Sequence, residues 1–177
     1  MSKKDDTEFN ELFRQMGLCL FASQRIEFIL QSLVALCAGL FTDKRVNSVS
    51  IKSFLEHNEQ GKIIRKKTLG SLAKIFNELN FIQPDRLDAF IETRNFIIHG
   101  ILQPEPITNR PYRDPVHCIK VCKDFLSEAE RIENGLKGLI HSVYMGLREK
   151  GQLPEIKSID GWTIFEKDLE LLGKNEA

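Results

Sequence analysis

The stretch LDAFIETRNFIIHGI, residues 87–101, reads as an amphipathic helix with one charge out of place. Leu87, Phe90, Ile91, Ile97, Ile98 and Ile101 recur at helical spacing. At about 100° per residue they fill one arc roughly 120° wide. Arg94 falls in the middle of that arc. An unpaired buried guanidinium is very costly, so Arg94 needs a partner that offsets its desolvation. The plainer candidate is an ion pair across a helical bundle, for instance with Glu27. The polar side of the same helix offers another setting. Asp88, Glu92, Asn95 and His99 lie within about 60° of one another, with Asn95 and His99 one turn apart. A histidine beside Gly100 at a helix end is expected to be partly exposed and available as an acid/base. Together the strip carries a phosphate-binding group, an amide and an acid/base.

Working outward, the rest of the chain also has helical periodicity. Thr7 is placed to cap a long helix running to about Phe41, with Phe9, Leu12, Phe13, Met16 and Leu20 as its first apolar face. A polar loop, TDKRVNSVS, follows. A short helix from about Ile51 to His57 then leads into the basic stretch GKIIRKK. Thr68 caps a helix carrying Leu69, Leu72, Ile75, Phe76 and Leu79. Pro84, at a first helical position, opens the helix that holds Arg94. Gly100, Pro104 and Pro106 end it soon after His99. After a proline-rich loop, 103–115, the pair Asp114-Pro115 starts the longest periodic run. Ile119, Cys122, Leu126, Ala129, Leu136, Ile140, Val143 and Leu147 trace one face of a helix ending near Gly151. Thr163 and Glu166 form a capping-box pattern before Leu169 and Leu172. No segment alternates with strand periodicity. The predicted fold is all-α: an up-and-down bundle of four to five helices over residues 1–150, with a short helical appendage in the tail 151–177.

The 177 residues can bury a real core in one domain, with room for a small appendage. Lys+Arg and Asp+Glu both number 25, so any nucleic-acid binding needs a local patch instead of a global basic field. The apolar run 29–41 is too short, and too close to Arg25 and Glu27, to span a bilayer. The N-terminus lacks a signal-peptide core, so the expectation is a cytoplasmic chain, with no membrane partner and four reduced cysteines. No Gly-rich phosphate loop, nucleophile elbow or carboxylate cluster for Mg²⁺ is present, and no cofactor is expected.

Arg94-Asn95, followed by three residues and His99 in an apolar helix of an all-α chain, resembles the signature of the HEPN superfamily (higher eukaryotes and prokaryotes nucleotide-binding domains). The resemblance covers roughly residues 7–150. It implies a homodimer whose two motifs face each other across a cleft, here through the 87–101 helix. In many members the activity is a metal-independent endoribonuclease of toxin or phage-defence type; other members are silent scaffolds or nucleotide binders. The implied chemistry is attack of a ribose 2′-OH on the adjacent phosphate. It needs an acid/base of near-neutral pKa and a cation on the phosphoryl oxygens. By this resemblance the catalytic residues are Arg94 holding the phosphate, Asn95 orienting it, and His99 as acid/base. A subgroup carries a Tyr two residues after the His, which a partner nucleotidyltransferase modifies. Ile101 stands there, which argues against an antitoxin of that kind and leaves other antitoxins or defence partners open. The alternative reading is a catalytically silent dimeric module that binds a partner protein or a nucleotide.

Helix geometry adds a condition. Arg94 and His99 are five residues apart, about 140° around a regular helix. Unless the helix unwinds at His99, one protomer's two side chains diverge, and a two-fold axis must bring the partner's strip alongside. Candidate RNA contacts elsewhere are Lys62, Arg65, Lys66 and Lys67, ahead of a helix N-terminus, and Arg110, Tyr112 and Arg113, in the proline-rich loop. His117, Cys118 and Cys122 form a short cluster without an evident fourth ligand. No metal site is expected there.

Overall fold

The computed structural model describes residues 3–41, 43–49, 51–56, 59–79, 83–103 and 114–151, omitting the side chains of 3–6, 51 and 55. The chain is all-α, a helical bundle; no strand occurs among the described residues. Seven α-helices are described: α1 (Lys3–Leu36), α2 (Lys44–Asn47), α3 (Ile51–Leu55), α4 (Lys62–Arg65), α5 (Leu69–Asn77), α6 (Pro84–Asn95) and α7 (Pro115–Glu149). The stretches expected as polar loop and basic linker each hold a single helical turn, α2 and α4. The Asp43 side chain accepts from the Arg45 backbone N–H at 2.9 Å, an N-cap that stabilises α2 inside a polar sequence.

The residues group into two compact units, one of Met1–Ile26 with Pro84–Ile132, the other of Glu27–Gln83 with Glu133–Ala177. In the first unit, α1 buries Leu12, Gln15, Cys19, Ser23 and Ile26. Of the apolar face expected there, only Leu12 is buried; Phe13 is 52% and Leu20 41% exposed. Polar members hid the real seam. Ser23 Oγ donates to the Cys19 carbonyl at 2.7 Å, and Gln15 Nε2 donates to Glu11 at 2.8 Å, so part of their polarity is met on the helix itself. The seam meets α7 where Cys19 Sγ lies 3.5 Å from the Cys122 carbonyl. The neighbouring Cys122 thiol, and then burial, push the Cys19 thiol well above its ordinary value.

On α7 the first unit buries Cys118, Cys122, Phe125, Ala129 and Ile132, at alternating steps of four and three. Ile119 and Leu126, expected on that face, are half-buried at its margin. The apolar arc of the sequence is wider than the seam, and contact runs along the line with the tightest spacing. Phe90 of α6 stacks on Phe125 with centroids 4.5 Å apart, and Arg86 Nε donates to Glu128 Oε1 at 2.5 Å. These contacts fasten α6 to α7 in the first unit. That guanidinium also holds the Glu128 carboxyl below its usual range.

The expected termini are mostly in place. Thr68 caps α5, accepting from Ser71 N–H at 3.4 Å, and Pro84 opens α6. Asp114 Oδ1 accepts from Val116 N–H at 3.2 Å ahead of α7. Gly151, at φ 61°, adopts the left-handed conformation that ends it. Thr7 is not a cap, because α1 begins at Lys3; the helix ends at Leu36, and a 3₁₀ turn over Ala38–Leu40 completes the run toward Phe41. The Thr163 capping box and the rest of the tail from residue 152 lie outside the described residues.

The span Thr7–Leu36 is long and apolar enough to cross a membrane by length and composition, with a mean hydropathy of 1.3 over an 18-residue window. The shorter run 29–41 had hidden this. Half of the apolar window is buried within the protein, as it would be in a core helix.

In the second unit α4 packs on both α2 and α3. Gly61, just ahead of α4, lies so close to α3 that an added Cβ would sit 2.1 Å from the Ser53 carbonyl oxygen. Backbone cannot yield as a side-chain tip can. Gly61→Ala is therefore expected to cost at least the usual 1–3 kcal/mol of overpacking, about 2–12 °C in melting midpoint. Thermal denaturation followed by circular dichroism measures it, and an unchanged midpoint would contradict the close approach. Gly70→Ala, with nothing within 4 Å of its added Cβ, is the control.

Candidate functional site

Arg94 and Asn95 are the last two residues of α6, and His99 sits in the turn that follows. That turn is not α-helical. Phe96–Gly100 forms a π-helix, closed by the Ile101 N–H donating to the Phe96 carbonyl at 3.0 Å, five residues back. A single wide turn at a helix end is uncommon, and such turns recur at functional sites. One turn earlier, Thr93 Oγ1 donates to the Ala89 carbonyl at 2.8 Å, a side-chain bond of the kind that bends helices. Ile97 and Ile101 are both buried and anchor the π turn. Gly100 leaves room for the Phe96 ring, since an added Cβ would lie 2.7 Å from Phe96 Cδ2.

Divergence of about 140° between positions 94 and 99 belongs to a regular helix. The π turn over Phe96–Gly100 contains His99, so the helix departs from that regular winding between the two positions.

Arg94 is half-buried at the middle of the apolar arc, between Leu87, Phe90 and Ile97, which are buried. Its Nε is buried without a hydrogen-bond partner, while Nη1 donates to Asn95 Oδ1 at 3.0 Å. Among the described residues, Glu27 included, no carboxylate pairs with it, and its guanidinium is steered by a neutral neighbour. Asp88, Glu92, Asn95 and His99 are all exposed, as the polar strip requires.

A groove of about 320 Å³ lies on the adjoining side of α6, walled by Arg86, Ala89, Phe90 and Thr93 with Val121, Asp124, Phe125 and Glu128. Arg94, Asn95 and His99 are not among its walls. Sequence periodicity missed this groove because it arises from two helices meeting, with both phenylalanines counted as core.

The other candidate contacts separate. Lys62, Arg65, Lys66 and Lys67 belong to the second unit, and Arg94, Asn95 and His99 to the first. Lys62 pairs with Glu59, and Lys67 lies 3.9 Å from Asp43. Arg65 lies over the Phe54 ring, 4.8 Å from its centroid, and burial pulls its pKa down. Lys66 is exposed and unpaired among the described residues. Arg110, Tyr112 and Arg113 lie outside the described residues. Of the short His/Cys cluster, His117 is exposed while Cys118 and Cys122 face the core. No group of three or more His, Cys, Asp or Glu arranged to hold a metal occurs among the described residues. No protein-family model, curated protein or solved structure matches the chain.

Proposed function

We propose that this chain is an HEPN-like, metal-independent endoribonuclease of the toxin or phage-defence type, working in the cytoplasm as a homodimer built on the 87–101 helix. The observation that carries the reading is the buried, unpartnered Nε of Arg94 at the end of a helix that turns π-helical up to an exposed His99. A donor held dry and unsatisfied is costly unless an acceptor arrives, and a phosphate diester supplies two planar-fork acceptors. Arg94 takes the non-bridging oxygens, and Asn95 holds the guanidinium in place. His99 removes the proton from the ribose 2′-OH as its oxygen attacks the adjacent phosphorus. The bond from phosphorus to the 5′-oxygen breaks, the leaving oxygen takes a proton, and a 2′,3′-cyclic phosphate remains. Asn95 and His99 are exposed and do not line the α6–α7 groove, an arrangement that suits a polymer laid along the helix.

The purified full-length chain should cleave RNA in EDTA and leave cyclic-phosphate ends, read by end-labelling and gel electrophoresis. Its overproduction should slow a bacterial host. Intact RNA across single-stranded, hairpin and transfer-RNA substrates, with a host that grows normally, would replace this reading by the silent interaction module. Phe13 and Leu20, exposed on one side of α1, are the observation that favours that second reading.

A further inference from the structure

The chain is neutral as a whole, yet residues 43–74 carry eight lysines and arginines against three acids. This charge sits on the short helices of the second unit, on the link from α4 to α5 and in the last turn of α5. The three acids neutralise part of it: Asp43 faces Lys67, Glu56 faces Lys52 and Glu59 faces Lys62. Lys44, Arg45, Arg65, Lys66 and Lys74 form no close ion pair among the described residues, although Lys66 lies near enough to Glu59 to act on its charge. Eight cations against three acids leave the segment net positive.

An aromatic array adjoins it. Phe54 is buried, with the Arg65 guanidinium over its ring at 4.8 Å. The Phe28 ring lies 6.4 Å from that of Phe54, tilted by 38°, and is 58% exposed. Arg65 is fixed further by its carbonyl, which accepts from Gln31 Nε2 at 3.5 Å. A cation, a buried ring and an open ring thus stand in series. An exposed ring beside unmatched cations is the arrangement that stacks an unpaired base and grips its backbone, largely without regard to sequence.

We propose that this face of the second unit binds single-stranded RNA, with Phe28 stacking one base and Arg65 and Lys66 contacting the phosphates. A duplex offers no free base face to Phe28. An anionic membrane surface is matched by a long amphipathic helix with a wide apolar face, whereas these cations sit largely on one-turn helices. The proposal deepens the ribonuclease reading by naming the substrate class, and it rests on that reading only for what happens to the strand after binding.

The test uses the full chain and a fluorescent 2′-O-methyl oligouridylate, whose blocked 2′-oxygens cannot be cleaved, so binding and cleavage fail separately. Fluorescence anisotropy should show binding that weakens with salt. Phe28→Ala should weaken it about tenfold or more with the salt slope unchanged, and Phe28→Trp should restore it. Lys66→Ala should lower the slope of log K against log salt by about 0.7, the share of one phosphate contact on a single strand. Phe28 and Lys66 are exposed, so both variants should keep the wild-type helical spectrum. Wild-type affinity in Phe28→Ala, or tighter binding to a duplex of the same length, would overturn the proposal. So would Phe28-dependent binding to phosphatidylserine vesicles with none to the oligonucleotide, which would assign the face to a membrane.

Discussion

Replacing His99 with Ala should lower RNA cleavage by about two to four orders of magnitude, the usual contribution of a positioned acid/base. The circular-dichroism spectrum and melting midpoint should stay as in the wild type, because His99 is exposed. Arg94→Ala should cost about two to three orders of magnitude by removing charge stabilisation on the phosphoryl oxygens. Arg94→Met makes the sharper test, because activity and stability should move in opposite directions. Arg94 keeps Nε buried without a partner, and such a donor carries its desolvation penalty uncompensated. Methionine fills the space of the stem without that penalty. Arg94→Met is therefore expected to be inactive and about 1 kcal/mol more stable, a rise of about 2–4 °C in midpoint. A residue that held the fold together would do the reverse. If Arg94→Met melts several degrees lower, the guanidinium is structural and the catalytic assignment falls. Equal cleavage by wild type and His99→Ala preparations would trace the activity to a contaminating nuclease.

Features decided within a few residues were legible in the sequence. Thr68 and Pro84 are placed by local backbone hydrogen bonding and by proline's fixed φ, so their helices begin where the residues say. Features decided by contact between distant residues were not. The α1 seam includes Gln15 and Ser23, whose polarity disguised the line that packs, and the more apolar Phe13 and Leu20 were left exposed. Gly61 gives no hint in sequence of the Ser53 carbonyl against it. Phe28 read as one more apolar residue of a long helix, and only the neighbouring Phe54 and Arg65 make it a platform. Arg94, Asn95 and His99 stand out in the sequence by residue type and spacing. The π turn that holds His99 was not legible, because one widened turn at the end of a helix barely alters the apolar periodicity before it.

That turn reverses the outcome expected of a subunit-mixing experiment. On a regular helix Arg94 and His99 of one chain point about 140° apart, and an active cleft needs Arg94 from one protomer with His99 from the other. Inactive Arg94→Ala and inactive His99→Ala subunits would then regain partial activity when mixed, because a heterodimer keeps one residue of each kind. The Ile101-to-Phe96 hydrogen bond closes a wider turn that contains His99, and we infer that this winding turns His99 toward the side of Arg94 in the same chain. Each strip then works as a unit, and a heterodimer of the two variants contains no intact strip. The mixture should stay inactive even when two affinity tags prove that heterodimers have formed. Mixing either variant with wild type should leave activity in proportion to the intact strips. Recovered cleavage in the doubly mutant heterodimer would mean that the cleft is composite after all, and that the π turn serves another purpose. Gly100→Ala probes the same turn from inside one chain, because its added Cβ would press on the Phe96 ring at 2.7 Å. If the winding aligns Arg94 with His99, that substitution should lower cleavage at least tenfold while Arg94 and His99 themselves are untouched, about 1.4 kcal/mol of lost transition-state stabilisation. Wild-type rates in Gly100→Ala would separate the π turn from the chemistry.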